Sequence, residues 1–212
     1  MKRGKFIVME GLDGSGKTSQ LNLLAAKLQD EGKKVYIFRE LSSNSVSQRI
    51  EPIILDPKRT ANGLCDIYLW LAAKEYAQFA LKDALQQYDY VLMDRYMLSF
   101  MAMQGYMNQK QVFCSQATEH FIVPDLTIYL KWPTKYLERH LKKTLKTPDY
   151  FESRGTQYFE ELAVAFNKLT TQKRYGKIHT VCGTLQTKRG ERQRSLDQIA
   201  KEIFAVVAKN TL

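Results

Sequence analysis

Residues 10–20 read EGLDGSGKTSQ and stand between a short apolar run, Phe6–Met9, and a stretch with apolar residues at helical spacing. The pattern G-x-x-x-x-G-K-[ST] is matched there by Gly11, Gly16, Lys17 and Thr18. A strand, a tight turn and a helix, in that order, form the setting in which this pattern binds phosphate, which disfavours a chance glycine-rich turn. The stretch therefore predicts an α/β fold that begins with a phosphate-binding loop.

The residue types of this loop suit a nucleoside triphosphate. Glycines let backbone N–H groups converge on phosphate oxygens, and the start of the following helix adds a favourable dipole. We expect Lys17 to reach the outer phosphates and the hydroxyl of Thr18 to bind Mg²⁺. We predict a nucleoside triphosphate as the ligand, with the binding residues Gly11, Asp13, Gly14, Ser15, Gly16, Lys17, Thr18 and Ser19.

A second motif, YVLMDRY at residues 90–96, has the pattern of an apolar strand that ends in Asp94 and Arg95. The carboxyl ends of parallel strands line the ligand crevice, so Asp94 should emerge beside the glycine-rich loop. There it could hold Mg²⁺, directly or through water, together with Thr18. The plainer alternative is a helix-capping aspartate followed by a surface arginine.

Strand and helix patterns alternate along the rest of the chain. This alternation favours a single domain, residues 1–212, with a parallel sheet of about five strands flanked by helices. A long helix is predicted at about Leu64–Gln87. Further strands are predicted at Val35–Phe38, Tyr90–Met93, Leu126–Leu130 and in the segment KIHTVC.

Two later segments are charged and lack apolar residues at the spacing of a helix or a strand. KKTLKTPDYFESRG, residues 142–155, is basic and broken by proline and glycine, and we expect a mobile lid there. Gly183–Arg194 is predicted as a charged loop. The last helix should begin after it with a capping box of Ser195 and Gln198.

Composition narrows the class of partner. The formal charge of +10 indicates an anionic partner but does not separate nucleotide from nucleic acid. Aromatic and basic residues are not interleaved as in a stacking platform, so nucleic acid is unlikely. The widely spaced Cys65, Cys114 and Cys182 favour free thiols. No run approaches the length of a membrane-spanning segment, and we expect a cytoplasmic protein.

Five segments, in this order and spacing, resemble the thymidylate (dTMP) kinase family: FIVMEGLDGSGKTSQ, FRE, LWLAAKEYAQF, VLMDRYMLSFMAMQG and PDLTIYLKWPTKYLER. The resemblance extends from Phe6 to about Leu169. It implies a P-loop kinase fold with a basic lid, and a homodimer. It also implies Mg²⁺-dependent transfer of the ATP γ-phosphoryl group to the 5′-phosphate of a deoxynucleoside monophosphate, with dTMP as the first candidate.

The resemblance also implies roles for single residues on the acceptor side. Asp13 would contact the sugar 3′-hydroxyl, and Arg39 and Arg95 would hold the acceptor phosphate. Trp70 takes the place of a base-stacking phenylalanine, and Lys74, one helical turn later, that of an arginine that addresses base and phosphate. The implied acceptor-binding residues are Asp13, Arg39, Trp70, Lys74, Arg95, Ser99, Phe100, Met103 and Gln104.

The catalytic cations are expected partly from the lid, because the variable loop positions 12–15 carry no basic side chain. Family members of this type supply arginines from the lid, where this chain offers Lys142, Lys143, Lys146 and Arg154, with Arg139 just before it. The resemblance leads to the predicted catalytic residues Lys17, Asp94, Arg95 and Arg154.

Departures from the family pattern cluster on the acceptor side. RELSSN at residues 39–44 replaces REPGG, Lys74 replaces an arginine, and Phe100 and Met103 stand where polar or tyrosine side chains are common; Tyr150 replaces a lid arginine. Apolar walls discriminate less than hydrogen-bonding ones. Three alternatives therefore stay open: a kinase for a modified pyrimidine or a broader set of monophosphates, a deoxynucleoside kinase, and a nucleotide-binding protein with degraded activity.

Overall fold

The computed structural model describes residues 3–56, 58, 63–137, 154–187 and 190–211. Most of the predicted lid lies outside these ranges, and so do five residues that the lid hypothesis named: Arg139, Lys142, Lys143, Lys146 and Tyr150. Across the described ranges, no helix has both the length and the apolar character that a membrane span requires.

Five strands form the central sheet: β1 (Lys5–Gly11), β2 (Val35–Phe38), β3 (Tyr90–Asp94), β4 (Leu126–Lys131) and β5 (Ile178–Cys182). Their order is β2-β3-β1-β4-β5, and every neighbouring pair is parallel. The predicted parallel sheet is therefore confirmed. The register sets Met9 beside Asp94, so the glycine-rich loop and Asp94 leave neighbouring strands at the same edge.

Helices cover both faces of this sheet. Their bounds are α1 (Lys17–Asp30), α2 (Ser45–Leu55), α3 (Gly63–Gln87), α4 (Met97–Phe100), α5 (Gln111–Ala117), α6 (Gly155–Leu169) and α7 (Leu196–Thr211), and a π-helical turn, Met101–Tyr106, continues α4. Successive strand side chains point to opposite faces. Phe6 and Val8 accordingly belong to the core under α3 and α6, and Ile7 and Met9 to the core under α1 and α7.

The prediction of a loop at Gly183–Arg194 was wrong. This segment contains an antiparallel hairpin of β6 (Thr184–Thr187) and β7 (Gly190–Gln193). Both strands are four residues long, polar and largely exposed, so the apolar alternation that marks a strand in a sequence is missing.

Polar side chains cap the first turns of α2 and α7. The side-chain oxygen of Asn44 accepts the N–H groups of Val46 at 3.0 Å and Ser47 at 2.9 Å. The segment RELSSN thus ends in the N-cap of α2, a helix that the sequence analysis did not predict. The capping box of α7 is confirmed, because Ser195 N–H donates to Gln198 Oε1 at 3.0 Å and Gln198 N–H to Ser195 Oγ at 3.2 Å.

Replacement of Asn44 by alanine should lower the free energy of unfolding by about 1 kcal/mol, because two N–H groups at the start of α2 lose their acceptor. Chemical denaturation followed by circular dichroism measures the change. Asn44→Asp, which keeps a side-chain acceptor, should stay close to wild type. Equal stability of wild type and Asn44→Ala would show that this cap contributes nothing.

Candidate active site

The glycine-rich loop runs from the end of β1 into α1. A Cβ atom added at Gly11 would lie 2.7 Å from the carbonyl oxygen of Leu130 in β4, so only glycine allows this close approach of the strands. Gly16, at the start of α1, has a φ of 86°, in the left-handed region that favours glycine. The backbone conformation at these two glycines therefore sets the path of the loop at this end of the sheet.

Lys17 lies buried at the first residue of α1. Its Nζ donates to the carbonyl oxygen of Leu12 at 2.9 Å and lies 3.9 Å from Asp13 Oδ1. Burial, reinforced by the nearby charge of Arg95 and only partly offset by Asp13, lowers the pKa of Lys17 to about 8. Phosphate groups bound to this loop would favour its charged form.

Thr18 and Asp94 meet across the gap between α1 and β3. The Thr18 hydroxyl donates to Asp94 Oδ2 at 2.5 Å, while Asp94 Oδ1 is buried without a hydrogen-bond partner. A hydroxyl beside an unsatisfied carboxylate oxygen fits a hard cation such as Mg²⁺. No group of three or more histidine, cysteine or acidic side chains in the described residues could hold a metal ion, so phosphate and water would supply the other ligands.

Arg95 occupies the centre of the site. Its φ of 65° lies in the left-handed region, which is uncommon for a residue other than glycine. The backbone N–H donates to Met9 O at 2.9 Å, and Nη1 donates to Gly11 O at 2.9 Å and Ser99 Oγ at 3.0 Å. Nη2 forms an ion pair with Asp13. Within the part of the chain that the structure describes, these contacts leave two guanidinium N–H groups without an acceptor.

Charges around Arg95 and Asp13 hold both groups ionised. Burial alone would raise the pKa of Asp13, but Arg95 and Lys17 outweigh it, and the pKa lies below its usual range. Burial alone would likewise lower the pKa of Arg95, but Asp13, Asp94 and Glu10 raise it above its usual range. The ion pair of Asp13 and Arg95 therefore places opposite charges side by side where the glycine-rich loop meets the end of β3.

Glu10 organises the residues after β3, a role that the sequence analysis missed. This buried carboxylate accepts the backbone N–H groups of Tyr96 at 2.8 Å, Leu98 at 3.1 Å and Ser99 at 3.2 Å, and it also accepts the Ser99 hydroxyl. A glutamate inside an otherwise apolar strand was the available signal, because a buried charge needs several hydrogen-bond partners.

Two cavities open beside this centre. The first, with a volume of about 480 Å³, is lined by glycine-rich loop residues together with Asp94. The second, of about 190 Å³, is lined by every predicted acceptor residue except Arg39. The prediction lacked four of its lining residues, namely Glu40, Leu41, Leu55 and Tyr96. Asp13 and Arg95 line both cavities, so the two spaces meet at this ion pair.

Two predicted residues lie apart from both cavities. Arg39 follows β2 with an exposed side chain and is absent from either lining. Arg154 is also exposed, and its guanidinium lies 4.3 Å from the centre of the Tyr158 ring. Their functional roles stay predictions.

Comparisons with known proteins agree with this geometry. A family model described as thymidylate kinase matches residues 9–192. The thymidylate kinase of Thermosipho africanus is 31% identical over 210 residues, covering 97% of this chain and 98% of that protein. That of Nitrosomonas eutropha is 29% identical over 215 residues, covering 99% and 94%. The solved thymidylate kinase of Candida albicans has a TM-score of 0.77 at 22% identity, over 99% of this chain and 94% of that chain, which shows the same fold.

Glu10→Gln should lower the free energy of unfolding by about 1–3 kcal/mol, because an amide offers one oxygen to donors that now share two. Guanidinium unfolding of both proteins measures the difference. The matched control is Glu31→Gln at the exposed C-cap position of α1, which should change stability by less than about 0.5 kcal/mol. Equal effects of the two substitutions would contradict the organising role of Glu10.

Proposed function

This chain belongs to the thymidylate kinase family, and we propose that it transfers the γ-phosphoryl group of ATP to the 5′-phosphate of dTMP, giving dTDP and ADP. The observation that carries this function is the meeting of two cavities at Asp13 and Arg95. One cavity is lined by the glycine-rich loop, as a triphosphate site would be, and the other has the aromatic lining of a nucleoside site. A phosphoryl group could pass between them over a short distance.

Transfer of a phosphoryl group to a monophosphate requires positive charge in the site rather than a base. A monophosphate is already largely dianionic at neutral pH, so its oxygen attacks without losing a proton to the protein. Charge spread over the transferring group must instead be stabilised. Lys17 would hold the outer phosphates of ATP. The two remaining N–H groups of Arg95 would hold the acceptor phosphate.

Mg²⁺ is the proposed metal, with Thr18 and Asp94 as its protein ligands. When bound, such an ion neutralises charge on the outer phosphates of ATP. The unpartnered Asp94 Oδ1 supports the assignment, since a metal would satisfy it. Asp94 would also orient the Thr18 hydroxyl, which already donates to its other oxygen.

A broader choice of monophosphates is the second candidate. Leu41, Leu55, Phe100 and Met103 give the acceptor cavity an apolar wall, which discriminates weakly between bases. A deoxynucleoside kinase is less well supported, because it needs a free carboxylate as base. The acidic side chains that line this cavity are already paired: Asp13 with Arg95 and Glu40 with Lys74.

Release of ADP with MgATP and a panel of dTMP, dUMP, dCMP, dGMP, thymidine and deoxycytidine tests the function. We expect turnover with dTMP above all others. Lys17→Ala and Arg95→Ala should each lower kcat/KM by at least about a hundredfold, because each removes a cation that holds a phosphate.

Lys33→Ala, in the exposed turn after α1, is the matched control and should keep wild-type turnover. Preference for thymidine would overturn the choice of acceptor. Unchanged turnover in Lys17→Ala or Arg95→Ala would overturn the roles of these residues.

A homodimer is proposed from the outward face of α3. Large apolar side chains are exposed along this face at spacings that share one side of a helix. Tyr68 contacts Phe113 of α5 with ring centres 5.9 Å apart, which extends the face across a second helix. Patches of this kind mark association surfaces. The residues of this patch are Leu64, Tyr68, Tyr76, Phe79, Val112 and Phe113.

Phe79→Asp should convert a dimer into a monomer, because the ring is 70% exposed and an aspartate there would be buried against the partner. Sedimentation velocity at micromolar concentration gives the mass. Val164→Asp, at a side chain 53% exposed on α6, is the matched control and should stay dimeric. A monomeric wild type would contradict the proposal.

A further inference from the structure

We infer that Glu40 and Lys74 are positioning residues: their ion pair fixes the wall of the acceptor cavity, and Lys74 acts on the acceptor through Glu40 and not by direct contact. This inference rests on the proposed function and goes beyond it. It also revises the role that the family resemblance implies for Lys74.

The ammonium group of Lys74 donates its hydrogen bonds to other groups of the protein. Nζ donates to both oxygens of Glu40, at 2.9 Å and 2.8 Å, and more weakly to the carbonyl oxygen of Tyr96 at 3.5 Å. An ammonium group has three donors, so each donor has a protein acceptor. No donor of Lys74 is left for a base or a phosphate.

Aromatic rings enclose the same group. Nζ lies 5.8 Å, 5.2 Å and 5.6 Å from the ring centres of Trp70, Tyr96 and Phe100. The side chain of Lys74 is only 2% exposed. Lys74 therefore lies at the edge of the cavity with its charge covered by protein groups.

Glu40 connects this buried charge to the segment that forms the opposite wall. It lies in the turn after β2, between Arg39 and the cavity-lining Leu41. Beyond that turn the chain enters α2, whose Leu55 lines the same cavity. The ion pair is thus a direct tie between α3 and the segment 39–44.

The tie has a consequence for the acceptor phosphate. A bidentate pair of opposite charges is neutral as a unit, so it adds no net positive charge to the cavity. Arg95, with two N–H groups left, would supply the attraction for the phosphate. The charges of Glu40 and Lys74 should then be exchangeable, because only their mutual attraction matters.

Exchange of the two charges tests this inference. The variants are Glu40→Lys, Lys74→Glu and the combination of both, assayed with dTMP at saturating MgATP and with ATP at saturating dTMP. Each single reversal places like charges together and should raise the KM for dTMP at least roughly tenfold, with kcat and the KM for ATP changed much less. The combined variant keeps the summed side-chain length and should recover most of that loss.

A combined variant as poor as Lys74→Glu alone would overturn the inference, since direct contact with the acceptor requires the cation at position 74. The matched control is the same exchange in the exposed pair of Lys27 and Glu31 at the C-terminal end of α1, which should leave all kinetic constants unchanged.

Neutral variants decide the question if charge reversal prevents folding. Burial, opposed by Lys74, raises the pKa of Glu40, so in Lys74→Met this carboxyl can take up a proton and the chain should fold. Glu40→Gln and Lys74→Met remove the same pair, so the inference requires similar rises in the KM for dTMP. A rise confined to Lys74→Met would overturn it.

Wild-type turnover tests the proposed function separately. The inference is read from the ratio of variant to wild-type KM, on dTMP or on whichever monophosphate the wild type prefers. A different preferred substrate would change the proposed function and leave this ratio as decisive as before.

Discussion

The buried carboxylate of Glu10 is the contact on which both cavities depend. It stands at the end of β1, immediately before the glycine-rich loop, and it accepts four donors from the chain that follows β3. A charge without water is tolerated only when such donors replace its hydration. The start of α4 therefore cannot shift without leaving this carboxylate unsatisfied. Arg95 lies between the end of β3 and the start of α4, and Glu10 holds the start of α4 in place. This restraint explains how Arg95 can keep an uncommon backbone conformation at the junction of the cavities.

The net charge of the chain differs from the charge balance inside the site. The sequence carries a formal charge of +10, yet Arg95 and Lys74 are each paired with an acidic side chain. Pairing of this kind keeps like charges apart before any ligand enters. It also orients the site, because the Arg95 guanidinium and the Lys74 ammonium group are each held by charge-assisted hydrogen bonds to a carboxylate. Anions would then meet a small number of directed donors instead of a diffuse positive surface.

The glycine-rich loop, the strands and the place of Asp94 could be predicted from the sequence, because each depends on a local pattern and on the rule that parallel strands end at one edge. Eight of the nine acceptor residues implied by resemblance do line one cavity, with Arg39 as the exception. The tie between Glu40 and Lys74 could not be predicted, since it joins residues 34 positions apart. Neither could α2, whose start depends on Asn44 in a segment without the usual proline and glycines, nor the exposed hairpin, whose short polar strands resemble a loop.

The two tryptophans of the chain stand one at each side of the site. Trp70 lines the acceptor cavity, whereas the indole N–H of Trp132 donates to the carbonyl oxygen of Ser15 in the glycine-rich loop, at 3.1 Å. Gly183 allows Trp132 to lie there, because a Cβ atom at that position would come within 1.9 Å of the ring. The protein thus contains one tryptophan beside each cavity. Removal of either indole would leave a chain whose tryptophan emission follows events at the other cavity alone.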